Sequence, residues 1–177
     1  RLLRANLSAG EEQIRLSQEL DMLDSYLYIQ NTAKKGVLHL VKEISEPDVL
    51  EYLVPKFLLQ PVVENAIVHG LVQNPLSGTI TLSIQAVGHT LHLIVSDTGQ
   101  GMTLDTLDAL RHRIRAVEPP RTDGKHGFGL WSTAARLRLQ YDDKADISID
   151  SQEGQGTTVH IWLPVQRERR TQDAKQG

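Results

Sequence analysis

The chain has 177 residues, a formal net charge of −3, 23% charged residues and no cysteine. That length suits one domain with a real core. The lack of cysteine excludes disulfides and thiolate metal sites, and the charge, without clustered Lys/Arg, argues against a nucleic-acid surface.

No apolar run approaches the roughly 18 residues of a membrane span, and the first residues lack a signal-peptide pattern, so the composition reads as soluble, reducing-compartment material. The sequence starts at Arg1-Leu2-Leu3-Arg4 in helical register without Met, which suggests a fragment of something longer. Residues 16–35 read as an amphipathic helix, with Leu16, Leu20, Leu23 and Leu27 on one stripe. Glu19, Asp21 and Asp24 suit its N-terminal end, Lys34 and Lys35 its C-terminal end, and Gly36 a left-handed cap. A strand is expected from Val37 to Ile44, then a turn at Glu46-Pro47-Asp48, with Pro55 opening the next helical segment.

Phe57-Leu58-Leu59-Gln60-Pro61-Val62-Val63 is apolar enough to be buried and leads into Glu64-Asn65-Ala66-Ile67-Val68-His69-Gly70. Pro61 belongs in the first turn of this helix because it has no N–H to give the turn before it. Ile67 and Leu71 continue a buried stripe, so Glu64, Asn65 and His69 lie close to a core. An unpartnered polar group there costs roughly 2 to 7 kcal/mol, so either the fold or a ligand supplies partners. Taken alone, the pattern fits a wet helix face equally well.

Period-2 alternation predicts strands at Ile80-Leu82-Ile84-Ala86 and Leu91-Leu93-Val95, joined at Gly88-His89 as a hairpin. The second strand runs into Asp97-Thr98-Gly99-Gln100-Gly101-Met102, which in isolation is most simply a strand-to-helix turn. A polar segment from about Arg111 to His126, with Pro119-Pro120, has the character of a lid. Gly127-Phe128-Gly129-Leu130 opens a helix to about Tyr141 and offers backbone N–H groups to an anion. Ile147-Ser148-Ile149 and Val159-His160-Ile161-Trp162-Leu163 form a hairpin around Glu153-Gly154-Gln155-Gly156, and 166–177 is a polar tail.

The ordered phrases ENAIVHG, DTGQGM, GFGL and GQGT resemble the N, G1, G2 and G3 boxes of the GHKL ATP-binding fold shared by gyrase, Hsp-type chaperones, histidine kinases and MutL. Within it, PKFLLQPVVENAIVHG, preceded by LSQELDMLDSYLYIQ, is similar to sensor histidine kinases of the LytS-like, autolysin-sensor type. The resemblance covers about residues 1–165. It implies an α/β two-layer sandwich, a mixed sheet with helices at 61–70, 103–115 and 129–141 on one face, preceded by a partial dimerisation helix. Residues 1–35 would end the dimerisation and phosphoacceptor region, 36–165 form the ATP-binding catalytic domain, and 166–177 the tail.

By that resemblance the cofactors are ATP and Mg²⁺. Asn65 is expected to ligate Mg²⁺ through its carboxamide oxygen and Glu64 to orient a metal-bound water. Asp97 should accept the adenine amino proton, with Thr157 sharing a water beside it. Gly99 and Gly101 would admit the purine, Met102 would close over it, and Gly127 and Gly129 would let the backbone wrap the phosphates above Leu130. Met102 and Leu130 also suit plain core positions.

Two departures matter. The water-activating Glu of ATP-hydrolysing members is replaced by Pro61, and the Lys of many histidine kinases by Val68, which leaves His69, Lys125 or a lid arginine such as Arg121 to meet the phosphates. No NPHF-like acceptor phrase occurs, so the acceptor His is expected outside the chain. His89 and His92 fit a hairpin better than a metal pair. The parent is then a dimeric, membrane-bound sensor kinase with this part cytoplasmic, without membrane contact of its own, passing phosphate to an acceptor His and on to a response regulator receiver domain. The other classes are an ATP-hydrolysing clamp, a nucleotide-binding module without kinase activity, and an anti-sigma serine kinase.

Overall fold

The computed structural model describes residues 13–34, 38–70, 78–116 and 128–168. Strand β1 (Gln13–Arg15) leads directly into helix α1 (Leu16–Lys34). Leu16, Leu20, Leu23 and Leu27 are all buried, as their spacing requires, and they share one core with the sheet and the other helices. After β2 (His39–Ile44) comes a 3₁₀ turn (Pro47–Glu51) and β3 (Leu53–Pro55), which pairs antiparallel with β1 as a separate two-stranded sheet. Pro55 therefore closes a strand instead of opening a helix. Its missing N–H is tolerated because a two-stranded ribbon leaves each strand one free edge.

The chain turns through residues 56–59, where Phe57 takes φ 57°, and enters α2 (Gln60–Asn65) with Pro61 in the first turn as expected. A π-helical turn (Ala66–Gly70) continues it. Strands β4 (Thr79–Val87) and β5 (Thr90–Asp97) form the expected hairpin, with Gly88 at φ 61°. Helix α3 (Leu104–Arg115) follows, its start capped by Thr103. The polar segment assigned to a lid from Arg111 thus begins inside a helix: Leu107, Leu110 and Ile114 keep the register and bury that face. Its later residues, 117–127, lie outside the described residues.

Helix α4 (Phe128–Tyr141), β6 (Asp146–Gln152) and β7 (Gly156–Pro164) complete the domain. The main sheet has the order β2-β4-β5-β7-β6, with β2 parallel to β4 and the other pairs antiparallel. Alternate residues such as Ile80, Leu82, Leu93, Val95, Val159 and Ile161 face the helices and are almost wholly buried. The mixed-sheet sandwich expected from the sequence is the architecture found.

Candidate functional site

The inner row at one end of the sheet changes from apolar to polar. Asp97 ends β5 and stands opposite Thr157 on β7, which stands opposite Ser151 on β6. Directly opposed residues of antiparallel strands share a face, so the three side chains form one row across three strands. Asp97 and Thr157 are each only 7% exposed. The Asp97 carboxylate accepts the Gly99 N–H at 2.8 Å. Burial pushes its pKa above the ordinary aspartate value, while the backbone N–H groups of Gly99 and Thr157 pull the other way. A buried acid with part of its acceptor capacity still open suits a ligand that donates a hydrogen bond.

The glycines near this row are demanded first by chain packing. Gly156 has φ 91°, and a Cβ there would lie 1.9 Å from the Asp97 carbonyl oxygen; at Gly101, φ 65°, it would lie 1.9 Å from that of Gln152. The G1 loop and the β6–β7 turn are thus pressed together, and Gly154 N–H donates to the Gln100 carbonyl at 2.6 Å. Both positions need glycine before any ligand arrives. Met102 is partly buried against the core and Leu130 is 1% exposed, so each has the packing role that its chemistry also allowed.

A second wall comes from α2 and α4. A Cβ at Gly129 would meet the Pro61 Cβ at 3.4 Å, so the start of α4 lies close against the start of α2. Asn65 ends α2 half-buried, Glu64 is exposed, and the π turn that follows packs against β5 and β7. Such π segments occur often at functional sites because they re-aim a side chain within a helix. His69 lies in this turn, but its side chain is not described; Lys125, Gly127 and Arg121 lie outside the described residues.

Two features escaped the sequence reading. Glu19, taken there only as an acid suited to the N-terminal end of the helix, is 1% exposed and accepts the N–H groups of Phe57 and Leu59 at 2.9 and 2.8 Å. Its position three residues after Leu16 and one before Leu20, inside the apolar stripe, was the available signal. Arg136 of α4 holds the same turn from the other side, donating to the Lys56 carbonyl at 2.7 Å. Farther along α1, the Tyr26 hydroxyl bonds the Glu64 carboxylate; burial and that carboxylate push the tyrosine pKa up to about 12. The turn before α2 and the acid beside Asn65 are therefore both held by α1.

Among the described residues no group of three or more His, Cys, Asp or Glu could enclose a metal ion. His92 instead bonds Gln85 and His160, each at 3.2 Å, on the outer sheet face. A cation at the nucleotide site would take few protein ligands, as Mg²⁺ held chiefly by phosphates and water does, and the Asn65 carboxamide suits that need. A separate cleft of about 420 Å³ between α3 and β6, lined by Arg111, Arg115, Ile147 and Asp150 among others, contains none of the predicted site residues.

Residues 55–167 match the family profile described as histidine kinase-, DNA gyrase B-, and HSP90-like ATPase. The chain is 32% identical over 164 residues to an uncharacterized sensor-like histidine kinase of Staphylococcus epidermidis (strain ATCC 12228 / FDA PCI 1200), covering 93% of this chain and 31% of that protein. It is 31% identical over 166 residues to sensor protein kinase HptS of Staphylococcus aureus (strain USA300), covering 94% of this chain and again 31% of the relative. It therefore spans about a third of the length of these curated relatives. Among solved structures, full-length ShkA in complex with AMPPNP superposes with a TM-score of 0.62 at 21% identity, over 94% of this chain and 35% of that one. The catalytic domain of histidine kinase ThkA does so with 0.59 at 16% identity, over 86% and 94%. At such identities the likeness is one of fold.

Proposed function

The chain belongs to the family of histidine kinase-, DNA gyrase B- and HSP90-like ATPases, and from that membership we propose that it is the ATP-binding catalytic domain of a two-component sensor histidine kinase. The observation that carries the adenine end is the buried Asp97, an acceptor at a strand end beside Thr157 and under two glycine loops. Asp97 accepts a hydrogen bond from the adenine amino group, Asn65 would hold Mg²⁺ at the phosphate end with Glu64 placed to orient its water, and the start of α4 at Gly129 would lie beside the phosphates. ATP supplies the phosphoryl group and Mg²⁺ neutralises its charge when bound. The chain's own part is positioning, which suffices for phosphoryl transfer because the transition state needs alignment and charge stabilisation more than covalent help.

Phosphate passes to a His on a helix outside these residues and then to a response regulator receiver domain. In this reading residues 1–35 come from the end of the dimerisation region, with α1 packed into the same core as the catalytic domain of 36–165, and the parent is a membrane-bound dimer with this part in the cytoplasm. The hydrolysing-clamp alternative is disfavoured by Pro61, which offers no base and whose ring packs beside Gly129.

Incubation of the 177-residue chain with labelled ATP tests the reading. It should bind ATP yet release phosphate slowly and label itself negligibly; an added acceptor segment carrying the missing His should gain label stable to alkali and lost in acid. Rapid phosphate release would favour the clamp, and stable self-labelling would mean that one of the seven histidines here is the acceptor.

A further inference from the structure

The Asp97-Thr157-Ser151 row contains a hydrogen-bond direction that the nucleotide reading does not use. Ser151 Oγ lies 2.8 Å from the Gly156 carbonyl oxygen and 3.0 Å from Thr157 Oγ1. A hydroxyl has one hydrogen, and a carbonyl only accepts, so the Ser151 hydrogen goes to Gly156. The Thr157 hydroxyl must then donate to Ser151. What Thr157 turns away from Ser151 is lone pairs alone. Asp97 beside it, as a carboxylate, is likewise acceptor-only. The strands fix this direction: Thr157 is a register partner of both Asp97 and Ser151, and Gly156, at φ 91° against the Asp97 carbonyl, has little freedom to turn its own carbonyl elsewhere.

We propose that Ser151 is a specificity-determining positioning residue: by accepting the Thr157 hydroxyl's hydrogen bond it makes the floor of the base site acceptor-only, so that the site selects a purine with an amino donor at its 6-position. The inference rests on the adenine assignment above. At the 6-position adenine presents an N–H, whereas hypoxanthine presents an oxygen there and carries a hydrogen on the neighbouring ring nitrogen instead. The contrast that counts is at the exocyclic group facing Asp97 and Thr157. Against an acceptor-only floor the oxygen stays unpaired and meets like charge, and a site built around a hydrogen bond rejects the analogue lacking it. Without Ser151, the Thr157 hydroxyl is free to rotate and donate to that oxygen.

The test compares ATP with inosine triphosphate, which differs at this edge, by calorimetry on the full chain. The parent should prefer ATP. Ser151→Ala should reduce the ATP-to-ITP preference roughly three- to tenfold, the scale of one neutral hydrogen bond, and Ser151→Thr, which keeps the hydroxyl, should restore it. An equal loss of affinity for both nucleotides would assign Ser151 to turn stability alone and overturn the proposal, as would an unchanged preference. A parent that does not bind ATP overturns the nucleotide reading itself; a parent that prefers ATP, with Ser151→Ala unchanged, overturns only the role given to Ser151.

Discussion

Asp97 is held between two opposed demands. Burial raises its pKa, so relative to the unfolded chain its charged form is disfavoured in the fold. A group with a raised folded pKa contributes stability that is complete below the unfolded carboxylate value of about 4 and lost as pH rises through the folded one. Asp97→Asn escapes that loss and keeps an oxygen for the Gly99 N–H. In thermal unfolding, the variant should therefore gain on the parent as pH rises above about 4, while its ATP affinity falls at least several-fold, the loss of roughly 1 to 3 kcal/mol expected for a mismatched buried hydrogen bond. A stability difference that does not shift in the variant's favour as pH rises, or ATP bound as tightly as by the parent, contradicts the role. Asn65→Ala should weaken Mg²⁺-dependent ATP binding and leave adenosine affinity nearly intact; equal losses in calorimetry would instead indicate misfolding. Gly156→Ala forces a Cβ to 1.9 Å from the Asp97 carbonyl at φ 91°, and urea unfolding should show it less stable by at least about 2 kcal/mol. Asp97 and the glycines stood out in the sequence because acid and glycine punctuated an apolar strand. Ser151 did not, since a serine on an alternating strand looks like any polar residue until its register partner is known.

At the scale of elements, α1 is a working part of the domain and more than a packing helix. Four of its leucines enter the common core, and Glu19 ties down the turn that launches α2. That turn contains a non-glycine residue at positive φ, Phe57, a conformation that persists only where surroundings enforce it. Glu19 and Arg136 provide the enforcement from opposite sides, on the amides and the carbonyls respectively. Glu19→Ala should strip partners from buried N–H groups and cost about 3 kcal/mol in denaturant unfolding, with amide exchange at Phe57 and Leu59 accelerating more than exchange in β4 or β5. Uniform acceleration would mean that the acid only adds to global stability. The helices and hairpins were legible because their periods, 3.6 and 2, are written in Leu, Ile and Val. The exceptions share a cause. Pro55 ends a strand because a partner 42 residues earlier, Gln13, pairs with it, and the π turn at Ala66–Gly70 reflects how the chain settles on β5 and β7. Neither partner is visible in a local window of sequence.

Across the sheet, helices cover one face, and among the described residues β2 and β6 each have a strand neighbour on one side only. The β6 end is guarded. Arg111 reaches from α3 to give two hydrogen bonds, at 3.0 and 2.9 Å, to the Ile149 carbonyl, and a third at 2.9 Å to the Asp150 carboxylate. A bare strand edge is a template on which another chain can add its own strand, and a guanidinium seated on a middle carbonyl removes one rung of that template while placing a charge on it. The Arg111 fork therefore acts on the protein's colloidal behaviour as well as on its fold. Arg111→Ala should leave circular dichroism nearly unchanged at low concentration, yet make light scattering on warming rise with protein concentration, as copies begin to join edge to edge; scattering no different from the parent would show that the edge is protected without it. A residue outside the proposed nucleotide site would then decide whether many copies of the domain can remain dispersed beside one another.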